Sequence, residues 1–278
     1  MKLRISQCTP LVFREVTDDP TATALRFTQH YGRYDHILLQ AFGDTSTTVT
    51  CRAYDAVKGT QLLSTSCTRL AIDGGYLYYK LLPVFDAGVY YCTLSGGGVT
   101  LRSTEWEVVD DPTLGGESIF VEYSNTTNDT PLDAVFTIGG VRQVFQLRLR
   151  GGFKPQGYTP NVSQETWRTQ RQELRQLYSA PFDKWTLTVG TAQGVPVEYV
   201  RLLNNVLSCD IVYINGQRWC RSEGATPEKT LTMQGAQMFT ASVDLERQLT
   251  LENYPQELYV NGGAFNDDYS ADYDLEQV

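Results

Sequence analysis

A chain of 278 residues with 41% hydrophobic and 20% charged side chains carries enough apolar material for a buried core, which excludes a disordered polymer. A formal charge of -9 makes nucleic acid a poor partner for the chain as a whole. No window approaches 18 apolar residues, so no membrane span is expected, and the alternating start "MKLRISQCTPLVFREV" has no apolar signal-peptide core.

Seventeen tyrosines and 23 glycines point to strands and turns, and the expected class is mainly β or α+β. Short strands are predicted at residues 2–7, 35–41, 47–54, 60–68, 76–82, 88–94 and 100–109. Turn signals such as "FGDTS", "DAVKGT", "IDGGY" and "SGGGV" separate them. Seven or more strands at this spacing predict an N-terminal β-sandwich, immunoglobulin-like or jelly-roll-like, over residues 1–112. "VVDDPTLGGES" marks the boundary.

An α+β domain with two short helices is expected over residues 113–252. "TIGGVRQVFQLRLRGGF" reads as a hairpin about Gly139 and Gly140 running into a strand. In "PNVSQETWRTQRQELRQLYSAPF" the recurrence of Trp167, Leu174, Leu177 and Tyr178, with Asn161 or Ser163 as cap and Pro181 as stop, predicts the first helix. "KWTLTVG" is a strand, and "PVEYVRLLNNVL" is the second helix, opened by Pro196. "CDIVYINGQRWCR" is a hairpin closed by Asn215 and Gly216. A last strand, "AQMFTASVDLE", precedes an acidic tail over residues 253–278.

Charge is unevenly spread. Residues 142–184 hold eight basic side chains against three acidic ones, whereas residues 252–278 hold seven acidic side chains and no lysine or arginine. On the predicted first helix, Arg168, Arg171 and Arg175 would flank the apolar face beside Trp167. That stripe, with Asp267, Asp268, Asp272 and Asp274 of a neighbour's tail, is the candidate interaction surface for a homo-oligomer. The alternative is a carbohydrate or cell-surface module using Tyr76, Tyr78 and Tyr79 as a sugar platform, so that glycan is a second candidate partner.

No catalytic, cofactor or metal motif is present. Nucleophile-elbow, phosphate-loop and zinc-protease patterns are missing, and six cysteines without CxxC spacing beside two histidines do not make a zinc site. His36 follows Asp35 directly, and adjacent strand residues face opposite ways, so the two do not form an acid–base pair. The cysteines are read as free thiols.

Two resemblances follow from particular residues. "DAGVYYC", with Cys51 in "TVTCRA", resembles the closing strand of an immunoglobulin domain. It departs from that family in having no tryptophan between Cys51 and Cys92. The stretch from "IFVEYSN" through "GVPVEYVRLLNNVLSCDIVYINGQRWCRSEG" to "SVDL" resembles uncharacterised virion or tail-type proteins encoded in prophages of gut bacteria. That resemblance implies a non-enzymatic structural or adaptor subunit of a phage-tail-like assembly. It would be made in the cytoplasm, without cofactors, and joined to its own copies and to other virion proteins.

Overall fold

The computed structural model describes residues 2–15, 27–111, 114–128, 132–168, 170, 172, 174–191, 194–233 and 238–247. The chain begins with β1 (Leu3–Ile5), β2 (Phe13–Glu15), β3 (Gln29–Gly32), β4 (Leu38–Gly43), β5 (Thr50–Asp55) and β6 (Gln61–Ser66). There follow β7 (Thr68–Ile72), β8 (Gly75–Leu81), β9 (Gly88–Gly96), β10 (Val99–Ser103) and β11 (Trp106–Val109). A single turn, α1 (Leu114–Glu117), leads to β12 (Ser118–Ser124), β13 (Thr137–Ile138), β14 (Val141–Arg142), β15 (Phe145–Phe153), β16 (Thr159–Arg168) and β17 (Leu174–Val189). The last elements are β18 (Val195–Pro196), α2 (Val197–Val206), β19 (Ile211–Ile214), β20 (Gln217–Arg221), β21 (Glu228–Met233) and β22 (Met238–Arg247).

The first eleven strands form a sandwich. One sheet runs β1-β4-β8-β7, and the other runs β2-β10-β9-β11-β3 with β5 and β6 branching from β9. Between them lies a core to which β4 and β8 give Leu39, Ala41 and Tyr78, while β9 and β11 give Tyr90, Cys92, Leu94, Trp106 and Val108. The "DAGVYYC" motif acts as a staple here: the Tyr90 hydroxyl donates to the Asp86 carbonyl at 2.8 Å across the bend. Trp106 packs on that ring at 6.1 Å, so the core tryptophan comes from β11, the second strand after the motif.

The cysteines depart from the immunoglobulin plan. Cys51 and Cys92 lie on neighbouring strands of one sheet, with Cys51 opposite Leu94 and Cys92 opposite Ala53. All six thiols are free. Burial pushes the Cys92 thiol up and takes Cys67 to about 12, which keeps both in the unreactive protonated form. Thiol titration in denaturant without reductant is expected to count six groups; a count of four would show an oxidised pair.

The second half closes on itself. β17 pairs with β15 on one side and β22 on the other, and the order β17-β15-β12-β19-β20-β22 returns to β17, giving a six-stranded antiparallel barrel. Closure removes free edges. The pleat sends Val121, Leu147, Leu187, Val243 and Leu245 inward, where Tyr199, Leu203 and Val206 of α2 join the same core. Gly151 makes closure possible: a Cβ there would lie 2.2 Å from the Thr188 carbonyl oxygen of β17. The hairpins at Gly139–Gly140 and Asn215–Gly216 have the positive φ values their sequences predict.

One predicted helix is replaced by strands. Residues 161–180 fall within β16 and β17 and the connection between them, so α2 is the only helix longer than a single turn among the described residues. Asn161 and Ser163 lie within β16, and Pro181 sits inside β17 opposite Val162. An exposed ribbon has no buried face to impose alternation, so the helical spacing of its apolar residues carried no packing information.

Candidate interaction site

β16 and the first half of β17 form a two-stranded arm that leaves the barrel wall. Its register runs from Thr159 opposite Lys184 to Arg168 opposite Leu174, with a bulge after Glu165. Every residue of β16 is exposed. Ten residues at about 3.3 Å each carry the arm roughly 30 Å along its length.

The root is rigid. Phe153 stacks on Trp219 at 4.4 Å, Tyr158 packs on Trp185 at 4.9 Å, and the Tyr158 hydroxyl donates to Asp183 at 3.0 Å. Lys184 pairs with Asp244 at 2.8 Å, and together with the Thr186 hydroxyl it holds that carboxyl below the usual range. Gly157 lets the 3-10 turn of Pro155–Gly157 press onto Thr186, whose Cβ would lie 2.9 Å from any added Cβ.

The far end is apolar and cationic. Trp167, Leu174, Leu177 and Tyr178 are 54–61% exposed. Opposed residues share a face, so Trp167 with Arg175 and Glu165 with Tyr178 form one surface, while Arg168 with Leu174 lies on the other. The predicted arginine stripe is therefore split between two faces. Arg171 and the tail residues Asp267, Asp268, Asp272 and Asp274 lie outside the described residues. Trp, Tyr and Arg are the side chains that dominate binding energy at protein interfaces, and isolated two-stranded ribbons gain little from their own packing.

The tyrosines proposed as a sugar platform do not form one. Tyr76, Tyr78 and Tyr79 belong to β8, where Tyr78 is buried and donates to the Thr45 carbonyl at 2.7 Å. Tyr76 shares the pleat face of Tyr78 and packs against the Arg69 guanidinium at 5.4 Å. Tyr79 turns the other way, into a groove of about 210 Å³ lined also by Lys80, Gln143 and Val144. Strand alternation separates side chains that the sequence places side by side.

Asp35 and His36 precede β4, which begins at Leu38 rather than at residue 35 as expected, and they make separate contacts in the bend after β3. Asp35 takes two hydrogen bonds from Arg148, at 2.7 and 2.9 Å, whereas the His36 backbone N–H donates to Gln146. Burial lowers the His36 imidazole, partly offset by Asp35. Burial also raises the Glu122 carboxyl, which accepts from the Gln146 amide at 3.1 Å. These groups satisfy one another across the junction of sandwich and barrel. Among the described residues no three His, Cys, Asp or Glu side chains cluster as a metal site, and no helix is long and apolar enough to cross a membrane.

No protein-family model and no curated protein matches the chain.

Proposed function

We propose that this chain is a non-enzymatic structural or adaptor subunit of a multi-subunit, phage-tail-like assembly, and that the β16–β17 arm is its docking element toward a second copy. One observation carries the reading: an arm exposed along all of β16 carries four large exposed apolar side chains toward its end, with Trp167 and Tyr178 on one face, Leu174 on the other and Leu177 at the bulge. Large apolar side chains exposed on a projecting element mark an interaction surface, because their exposure to water is costly unless a partner covers them. The rigid aromatic root supports the same reading, since a preorganised arm loses little freedom on docking.

Excision is the direct test. Thr159 and Lys184 face each other across the ladder, so residues 160–183 can be replaced by an Asn-Gly turn without disturbing the barrel register. The shortened protein is expected to stay monomeric at concentrations where the full chain associates in light scattering. Equal masses for both would remove the arm from the assembly.

A further inference from the structure

Three thiols face the sandwich core in one diagonal row. In the ladder of β5 with β9, Cys51 stands opposite Leu94 and Cys92 opposite Ala53, which makes the two cysteines diagonal neighbours on the inner face. In the ladder of β5 with β6, Cys51 stands opposite Thr65, and the Cys67 N–H donates to the Val49 carbonyl one step beyond the last pair, Thr50 with Ser66. Cys67 is thereby the diagonal neighbour of Cys51 on its other side. Cys51 and Cys92 are fully buried, while Cys67 and Thr65 are partly exposed where the chain crosses from one sheet to the other.

A cation reaches into the same place. Lys80 of β8 stands opposite Leu39 of the core, so it points between the sheets, and its ammonium lies 3.5 Å from the Thr65 hydroxyl. Among the described residues no carboxylate pairs with it. The Cys92 thiol donates to the Cys51 sulfur, which lowers the Cys51 thiol; burial opposes that, and the Lys80 charge adds to it. Of the three, Cys51 is the one ready to ionise, because a hydrogen-bond donor and a positive charge beside it are the surroundings that make a cysteine nucleophilic.

The second thiol pair has the opposite setting. Cys8 and Cys209 also share a hydrogen bond, at the junction of the first segment with α2, where the Asn205 amide donates to the Gln7 carbonyl at 3.2 Å. That bond and burial both raise the Cys209 thiol, and the charge acting on it is the carboxylate of Asp210. Two buried thiol pairs therefore differ in the sign of the charge beside them.

We infer that Cys51 and Cys92 form a reversible oxidation site, in which Cys51 attacks a hydroperoxide and Cys92 resolves the product to a disulfide. In the first step the Cys51 thiolate bonds to one oxygen of hydrogen peroxide and the O–O bond breaks. The leaving hydroxide, with the proton that Cys51 gave up, becomes water. In the second step the Cys92 sulfur attacks the sulfenic sulfur of Cys51, the S–O bond breaks, and a second water leaves carrying the Cys92 proton. Two thiols lose two electrons, and the peroxide is reduced to water.

The bond joins neighbouring strands of one sheet. Diagonal Cα atoms stand roughly 7–8 Å apart, at or beyond the usual limit for a disulfide, so β5 and β9 draw together to close it. A bond closed under such strain is readily reduced, which suits a reversible site and not a permanent staple. None of this depends on the assembly reading.

Peptide mapping by mass spectrometry, after brief treatment of the full chain with hydrogen peroxide, tests the site. A disulfide between Cys51 and Cys92 is expected, with Cys8 and Cys209 still reduced and every thiol recovered on adding dithiothreitol. A first disulfide between Cys8 and Cys209, a bond from Cys67, or no loss of thiols would overturn the inference. Lys80→Met should slow the oxidation about tenfold, because the thiolate fraction falls when its cation is removed, and Lys80→Arg should keep most of the rate. Equal rates in the parent and the methionine variant would overturn the role of the lysine. In Cys92→Ser the sulfenic acid of Cys51 should persist and be captured by dimedone, and its absence there would count against Cys51 as the attacking group. The mapping uses the parent protein, so a variant that misfolds leaves the test intact.

Discussion

Replacing Asp35 by alanine is expected to destabilise the protein by about 3–5 kcal/mol, because it leaves a buried guanidinium without its counter-charge. Arg148 on β15 is 13% exposed and Asp35 is 8% exposed, and the two meet in a bidentate pair at 2.7 and 2.9 Å. The remaining contacts of Arg148 are too weak to replace the carboxylate. Its Nη1 reaches the Ser118 hydroxyl at 3.3 Å, and its guanidinium lies 4.8 Å from the centre of the Phe120 ring. Asp35 also accepts from the Gly32 N–H at 2.7 Å, so the bend before β4 loosens with it. At roughly 2–4 °C per kcal/mol for a chain of this size, the midpoint of thermal unfolding should fall by about 6–20 °C.

Two companion variants separate charge from packing. Asp35→Asn keeps the shape and one acceptor and should lose less than the alanine variant. Removing both charges, with Asp35→Leu and Arg148→Met together, should recover most of the loss, since an apolar pair of similar volume avoids the cost of an unpaired ion. A fall of under 1 kcal/mol in the single alanine variant would mean that water reaches Arg148, and the junction between sandwich and barrel would then have to be held by its apolar contacts alone.

What the sequence could and could not show follows from how local each cue is. Asn215–Gly216, Gly139–Gly140 and the staple of Tyr90 on Asp86 are settled within a few residues, and all three stand where the pattern puts them. α2 was equally legible, because its buried side chains Tyr199, Val200, Leu203 and Val206 face one core and impose a helical period. Barrel closure had no local signal: it depends on β17 finding β22 across more than 50 residues, and on Gly151 admitting a close approach that a sequence pattern does not display. The strands β2, β3 and β7 were not among those predicted. The candidate site was half legible. Trp167, Arg168 and Arg175 do sit together at the end of one exposed element, yet the element is a ribbon, and the ribbon divides the arginines between its faces.

That division makes the tip the sharpest test of the assembly reading. Trp167, Arg175 and Tyr178 share one face of the arm, and both rings are more than half exposed, so Trp167→Ala with Tyr178→Ala removes little that the isolated fold uses. Thermal stability should stay within about 0.5 kcal/mol of the parent, the usual range for exposed substitutions. Association should behave differently. An aromatic anchor buried at an interface contributes about 2 kcal/mol or more on truncation, roughly thirtyfold in dissociation constant for each ring. Sedimentation across a concentration series would read that shift directly, with Leu62→Ala, an exposed apolar change on β6 away from the arm, as the control. Unchanged association in the double variant would mean that the copies meet through another surface. A loss of stability larger than the loss of association would mean that the rings serve the arm's own fold. Weakened association at constant stability is the one pattern a docking arm produces, because only there is the apolar area exposed in the monomer and covered in the assembly.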